Sequence, residues 1–155
     1  MCRSLLPLAL IFLPALAGAG QLTLSPSSFT LDNGVHSPTV TVAYRPGAGV
    51  VDFEAELALP LDRAGWVEAQ VVPSGTTAYE AWCQIVNGRV KVILSSRNLQ
   101  PLPTTQALPL CAVRIRTHGF TPRGHYEITP VNTYEYTATG LYDLVTTNNV
   151  RVVVP

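Results

Sequence analysis

Three sets of residues in this chain could do chemistry. Cys83 and Cys111 are a thiol pair, Asp52, Glu54 and Glu56 put carboxylates on alternate residues, and Trp82, Tyr134 and Tyr136 offer aromatic rings. The thiols lack the Cys-x-x-Cys spacing of a redox pair. His36, His118 and His125 are too scattered to complete a metal set with them. A structural disulfide is the expectation, and closing the loop between them would contribute roughly 3 kcal/mol in the chain-entropy model. The carboxylates would repeat about every 7 Å along a strand. Glycoside hydrolysis needs a carboxyl pair about 5 Å or 6.5–9.5 Å apart with one pKa raised, and an open strand face provides no burial to raise it. A solvated outer face satisfies the same pattern without that requirement. Arg89, Lys91, Arg114 and Arg116 also point outward. They are read as cross-strand partners for the acids or as part of a charged face that orients a protein partner. Trp82 lies on the outward parity of its strand, and Tyr134 and Tyr136 share a face. Stacking on a sugar and packing at a sheet edge both call on such rings.

Other chemistries find no support. There is no Gly-x-Ser-x-Gly elbow and no glycine-rich phosphate loop. The pairs Asp32-Asn33 and Asn148-Asn149, with Asp143, supply too few carboxylates in one loop for calcium. No cofactor, metal or catalytic residue is expected. One lysine in the chain and no basic patch exclude a nucleic-acid footprint.

The elements that must position these residues are strands. No stretch shows helical periodicity; apolar residues alternate in short bursts separated by Gly, Pro, Asn and Asp. Val51, Phe53, Ala55, Leu57 and Leu59 alternate with the three acids, which is one face on a core and one in water. Asn87-Gly88 between two apolar runs predicts a hairpin with a two-residue turn. Thr39–Tyr44, Trp66–Val72, Cys111–Ile115, Tyr126–Ile128 and Val150–Val154 also read as strands. The region Thr133–Tyr142 has no firm assignment, and Ser95–Gln106 reads as a long exposed connection. About nine strands at short spacing predict an all-β, two-sheet antiparallel sandwich.

The chain of 155 residues begins with Met1-Cys2-Arg3, an apolar run from Leu5 to Leu16 broken by two prolines, and Ala17-Gly18-Ala19. That order is a secretory signal peptide over residues 1–19, too short for a membrane span. Residues 20–155 then form a single exported domain, and no later stretch could span a membrane. The chain has ten basic and ten acidic residues, so losing Arg3 with the leader leaves the domain one charge negative.

The order of these segments resembles the cohesin-like domains, jelly-roll sandwiches related in fold to carbohydrate-binding modules. Six pieces carry the resemblance: Thr39–Tyr44, Gly49–Leu57, Trp66–Pro73, Gly88–Val92, Leu108–Ile115, and Gly124–Asn132 with its Gly-x-Tyr-x-Ile pattern. The cysteine pair departs from the cellulosomal members, and the Arg45–Gly49 turn is short for the family. The resemblance implies a non-catalytic module that binds a dockerin-type protein or a polysaccharide, with a place in polysaccharide degradation. It implies that the outer face holding Asp52, Glu54 and Glu56 docks the partner. The opening Leu22–Phe29 also resembles immunoglobulin-like domains of bacterial surface proteins, which leaves a structural or adhesion domain as the alternative. Strand topology separates the two.

Overall fold

Strand β4, Val50–Ala58, sets the layering. Phe53, Ala55 and Leu57 are fully buried, while Asp52, Glu54 and Glu56 between them are half-exposed. A strand with this period must have a second layer on one side and solvent on the other. The computed structural model describes residues 19–31, 38–59, 65–71, 78–117, 122–142 and 145–155. The expected leader, apart from Ala19, lies outside these residues, as do His36, His118 and Asp143.

The described residues are built of strands in two sheets. In chain order the strands are β1 (Gln21–Ser25), β2 (Ser28–Thr30), β3 (Thr39–Arg45), β4, β5 (Gly65–Val71) and β6 (Tyr79–Val86). They continue as β7 (Arg89–Ser96), β8 (Leu108–Thr117), β9 (Gly124–Thr137), β10 (Gly140–Tyr142), β11 (Thr146–Thr147) and β12 (Val150–Val154). One sheet has the order β11-β1-β3-β8-β5; the other runs β2-β12-β9-β4-β7-β6, with β10 paired to β9. The extra strands over the expected nine are the short pieces β2, β10 and β11. The unassigned region Thr133–Tyr142 is the second half of the long β9 followed by β10. The seven-strand Greek key of the immunoglobulin alternative is not this topology.

Both ends of the chain are shared between the layers. β1 pairs with β3 and β11 in one sheet, whereas β2 pairs with β12 in the other, and the pairings β1–β11 and β2–β12 are parallel. The first and last segments therefore run side by side and change sheets together. Where they cross, the Asn148 side chain replaces a strand neighbour. Its Oδ1 accepts from Leu24 N–H at 2.8 Å, and its Nδ2 donates to Leu24 O at 2.9 Å. A side-chain amide carries the same donor and acceptor as a peptide unit, so β1 keeps its backbone bonds past the end of β11.

Two irregularities fall beside prolines, which cannot donate to a ladder. Against β3 the register slips after Val42, which opposes Cys111, so that Ala43 opposes Pro109. This lets the consecutive residues Leu110 and Cys111 both face inward. Against β4 it slips between Glu56, opposite Asn132, and Leu57, opposite Pro130, leaving Val131 bulged outward. The Asn87-Gly88 turn has φ of 51° and 75°, the double positive φ of a hairpin turn that follows strand twist. The segment Ser95–Gln106 is less exposed than expected, and its first two residues, Ser95 and Ser96, belong to β7. Ser96 and Leu102 are buried, and Leu102 N–H donates to Val50 O at 2.7 Å, fixing the loop to the edge of the core.

Between the layers the core is aliphatic, with Val40, Val42, Leu22 and Ile115 facing Phe53, Leu57, Val92 and Val152. Three ties cross it. Cys83 on β6 and Cys111 on β8 form a disulfide, with Cα atoms 6.0 Å apart. Tyr44 stacks on Phe53 with ring centroids 3.7 Å apart and planes at 10°. The Tyr44 hydroxyl donates to the buried Glu135 of β9. Burial first, and then Glu135, push the Tyr44 hydroxyl far above its ordinary pKa, so it stays protonated and remains a donor.

Replacing both cysteines by alanine lowers the unfolding free energy by about 3 kcal/mol, measured by urea denaturation under oxidising conditions. An unchanged midpoint would show that the bridge does not stabilise the sandwich. Tyr44→Phe deletes one donor to Glu135 and costs about 1–3 kcal/mol in the same experiment.

Candidate functional site

The outer face of β9-β4-β7-β6 brings most of the singled-out residues into register. Across β9, β4, β7 and β6 the rows read Tyr136–Asp52–Ser95–Glu80, then Tyr134–Glu54–Ile93–Trp82, then Asn132–Glu56–Lys91–Gln84. The turn row adds Ala58, Arg89 and Val86. Every one of these positions shares the outward parity of β4, because antiparallel partners directly opposite each other face the same way.

Charges on this face are matched. Arg89 Nη1 donates to Glu56 Oε2 at 3.0 Å, and Asn132 Nδ2 donates to the same oxygen at 2.9 Å. Lys91 Nζ lies 2.6 Å from Glu54 Oε1. The Ser95 hydroxyl donates to Asp52 Oδ1. At the margin Arg97 reaches Glu80 at 3.5 Å. Both ion pairs run diagonally, each acid reaching a base one step along β7. The hydrogen bond from Asn132, then that from Arg89, hold Glu56 below its ordinary value of 4.5. The hydrogen bond to Glu54 raises Lys91 above its ordinary 10.5.

Glu56 is thereby held ionised, and Asp52 and Glu54 are tied down by Ser95 and Lys91. A general acid needs the opposite, a carboxyl protonated near neutral pH by burial or by a like charge. The face can instead act as a rigid, nearly neutral surface with apolar relief. Trp82 and Val86 on β6 are exposed at 38% and 39%, and Leu141 on β10, opposite Tyr136, at 57%. Ile93, Tyr134 and Tyr136 are half-buried between them.

The expected basic group is divided. Arg89 and Lys91 belong to this face, but Arg114 and Arg116 do not. β8 pairs with β3 and β5 in the other sheet, so Arg114 is exposed on the opposite side of the sandwich. Outward parity is common to both sheets, and only the pairing decides which side of the molecule it means. The Arg116 side chain lies outside the described residues, though its strand is in that same sheet. The aromatic set is likewise spread. Trp82 and Tyr134 occupy one row but are three strand spacings apart, about 14 Å, with the Glu54–Lys91 pair between them. Ser95, Asn132 and Ile93 are members of the face that sequence reasoning missed. Asn132 sits just before the bulge at Val131, which alternation alone would not place.

The backbone arrangement matches solved structures closely. The cohesin of a type I cohesin–dockerin complex from Clostridium thermocellum superposes with a TM-score of 0.65 at 10% identity, covering 89% of this chain and 100% of that one. A non-cellulosomal cohesin from the hyperthermophilic archaeon Archaeoglobus fulgidus gives 0.62 at 17% identity, over 89% and 92%. The sixth cohesin of scaffoldin B from Acetivibrio cellulolyticus, solved with a Cel5 dockerin variant, gives 0.62 at 9%, over 89% and 100%. The chain has the cohesin fold. No family model and no curated protein matches it in sequence. What links it to the cohesins is the arrangement of the backbone, in which the face described above is one of two outer surfaces.

Glu56→Gln removes a group whose folded pKa lies below the ordinary value. Its contribution is fully present above pH 4.5 and is lost as pH falls through the lowered value. Thermal melts of this variant show a shallower loss of stability between about pH 4.5 and lower pH than the parent. Lys91→Met acts at the other end: the raised pKa contributes below pH 10.5 and fades above it, so the variant loses the alkaline slope. Parallel pH curves for parent and variants would show that these pairs do not couple to folding.

Proposed function

We propose that this chain is an exported, non-catalytic binding module that docks a dockerin-type protein partner on the outer face of β9-β4-β7-β6. The observation that carries the reading is the face itself, with its charges paired in place and Trp82, Val86 and Leu141 left exposed around them. Pre-paired side chains lose little freedom on association, and an exposed tryptophan is the residue type most enriched among binding hot spots. Among the described side chains, the opposite outer face presents exposed polar residues such as Gln21, Thr23, Thr39, Thr41 and Arg114. The cohesin fold supports the partner class, since cohesins of this fold have been solved with dockerins bound. The disulfide and the leader signature support export.

A protein suits this surface better than a polysaccharide. Sugar platforms need neighbouring rings, whereas here an ion pair separates Trp82 from Tyr134 and both tyrosines are half-buried. Hydrolysis is disfavoured because each of these half-exposed carboxylates is tied to a neighbouring donor and Glu56 is held ionised.

Calorimetric titration of the domain against a panel of dockerin-type modules, with a glycan array alongside, tests the reading. Binding to at least one module is expected, weakened by about 2 kcal/mol in Trp82→Ala and unchanged in Thr41→Ala on the opposite sheet. Binding to glycans alone, binding to neither, or equal effects of the two substitutions would overturn it.

A further inference from the structure

Glu135 is the only buried carboxyl group among the described residues. It faces inward from β9, opposite Phe53, between the outward Tyr134 and Tyr136. Its Oε1 accepts from the Tyr44 hydroxyl and from Gly47 N–H at 3.3 Å, and no cation pairs with it among the described residues. A buried carboxylate with only neutral donors is costly compared with one that has a positive partner.

Gly20 lies directly against this carboxyl. A methyl group at Gly20 would overlap Glu135 Oε1 and stand 2.8 Å from the carboxyl carbon and 2.9 Å from the Tyr44 ring, so only glycine fits. Its carbonyl accepts from Thr146 N–H at 3.0 Å and from Thr146 Oγ1 at 3.2 Å, which fixes it beside β11. Gly20 is buried and Ala19 is exposed, so the boundary between core and surface falls on the peptide bond that the Ala17-Gly18-Ala19 signature marks for cleavage. The α-nitrogen of Gly20 is two bonds, about 2.5 Å, from that methyl position, which places it within about 4 Å of Glu135 Oε1.

We propose that leader removal occurs at Ala19–Gly20 and creates an internal ion pair between the new α-ammonium of Gly20 and the Glu135 carboxylate. A leader peptidase adds water across that bond, leaving a carboxylate on Ala19 and an ammonium on Gly20. The amide nitrogen thereby becomes the cation that Glu135 lacks. Processing and folding are then coupled: the cleaved chain gains this ion pair at its own first residue, and a chain that retains an extra residue closes the same sandwich without it. This inference concerns the chain terminus and does not depend on the partner that the outer face takes.

The test is export of the chain with its own leader, followed by intact-mass analysis and amine labelling with an acetyl succinimidyl ester at pH 7. Lys91 is the only lysine, so two amines report. The mature protein is expected to begin at Gly20. Its α-amine is expected to react about tenfold more slowly than in a version that retains Ala19, as a one-unit rise in amine pKa requires. Glu135→Gln keeps an acceptor for Tyr44 and should abolish the difference. A mature start at any other residue, or equal α-amine rates with and without Ala19, would overturn the proposal. Should Glu135→Gln fail to fold, the melting temperatures of the Gly20-start and Ala19-start proteins decide: a drop of several degrees with Ala19 supports the ion pair, and equal values refute it.

Discussion

β4 is hydrogen-bonded on both sides, to β9 and to β7, and so its register is fixed twice. A one-residue slip of this strand would turn Phe53, Ala55 and Leu57 into water and drive three carboxylates into the core. That cost is what makes β4 the reference for the whole domain. Its inner residues define where the second sheet packs, and its outer residues define the rows of the charged face. The core and the candidate site are two sides of one alternation.

The two layers are joined by unlike interactions at different places. The Cys83–Cys111 bridge ties the edge strand β6 to β8, where the sheet would otherwise be held by one neighbour only. The Tyr44–Phe53 stack and the Tyr44–Glu135 hydrogen bond join β3 to β4 and β9, strands in the middle of the two sheets. At the chain ends the paired crossing of β1–β2 and β11–β12, secured by the Asn148 amide, stitches both sheets with one pair of segments. The domain is thus fastened covalently at the β6 edge and by polar groups at its middle and at the chain ends, around an aliphatic core.

On the outer face the same economy governs charge. Each acid of β4 has a partner on β7 or β9, so the surface carries ionised groups without a strong net field. Such a face contributes orientation and specificity to an encounter, while its exposed apolar residues at the β6 and β10 margins supply contact area. The carboxylates are unsuited to proton transfer for the same reason that they are suited to a preformed surface.

Alternation made much of this legible in the sequence. The outward acids of β4, the Asn87-Gly88 hairpin, the inward parity of both cysteines and the all-β character follow from a period of two and from turn chemistry, which are local properties. Tyr134 and Tyr136 were readable as outward, and by the same rule Glu135 had to point in. What the sequence could not fix was adjacency. Arg114 and Lys91 have equal parity, yet they lie on opposite sides because β8 pairs with β3 rather than β7. Leu110 and Cys111 both face the core because of a bulge that depends on the partner strand. Asn132 reaches Glu56 across a strand pair 76 residues apart in sequence. Parity is set by each strand's own backbone, whereas neighbours are set by which strands close the sheets, and that is decided only when the whole chain packs.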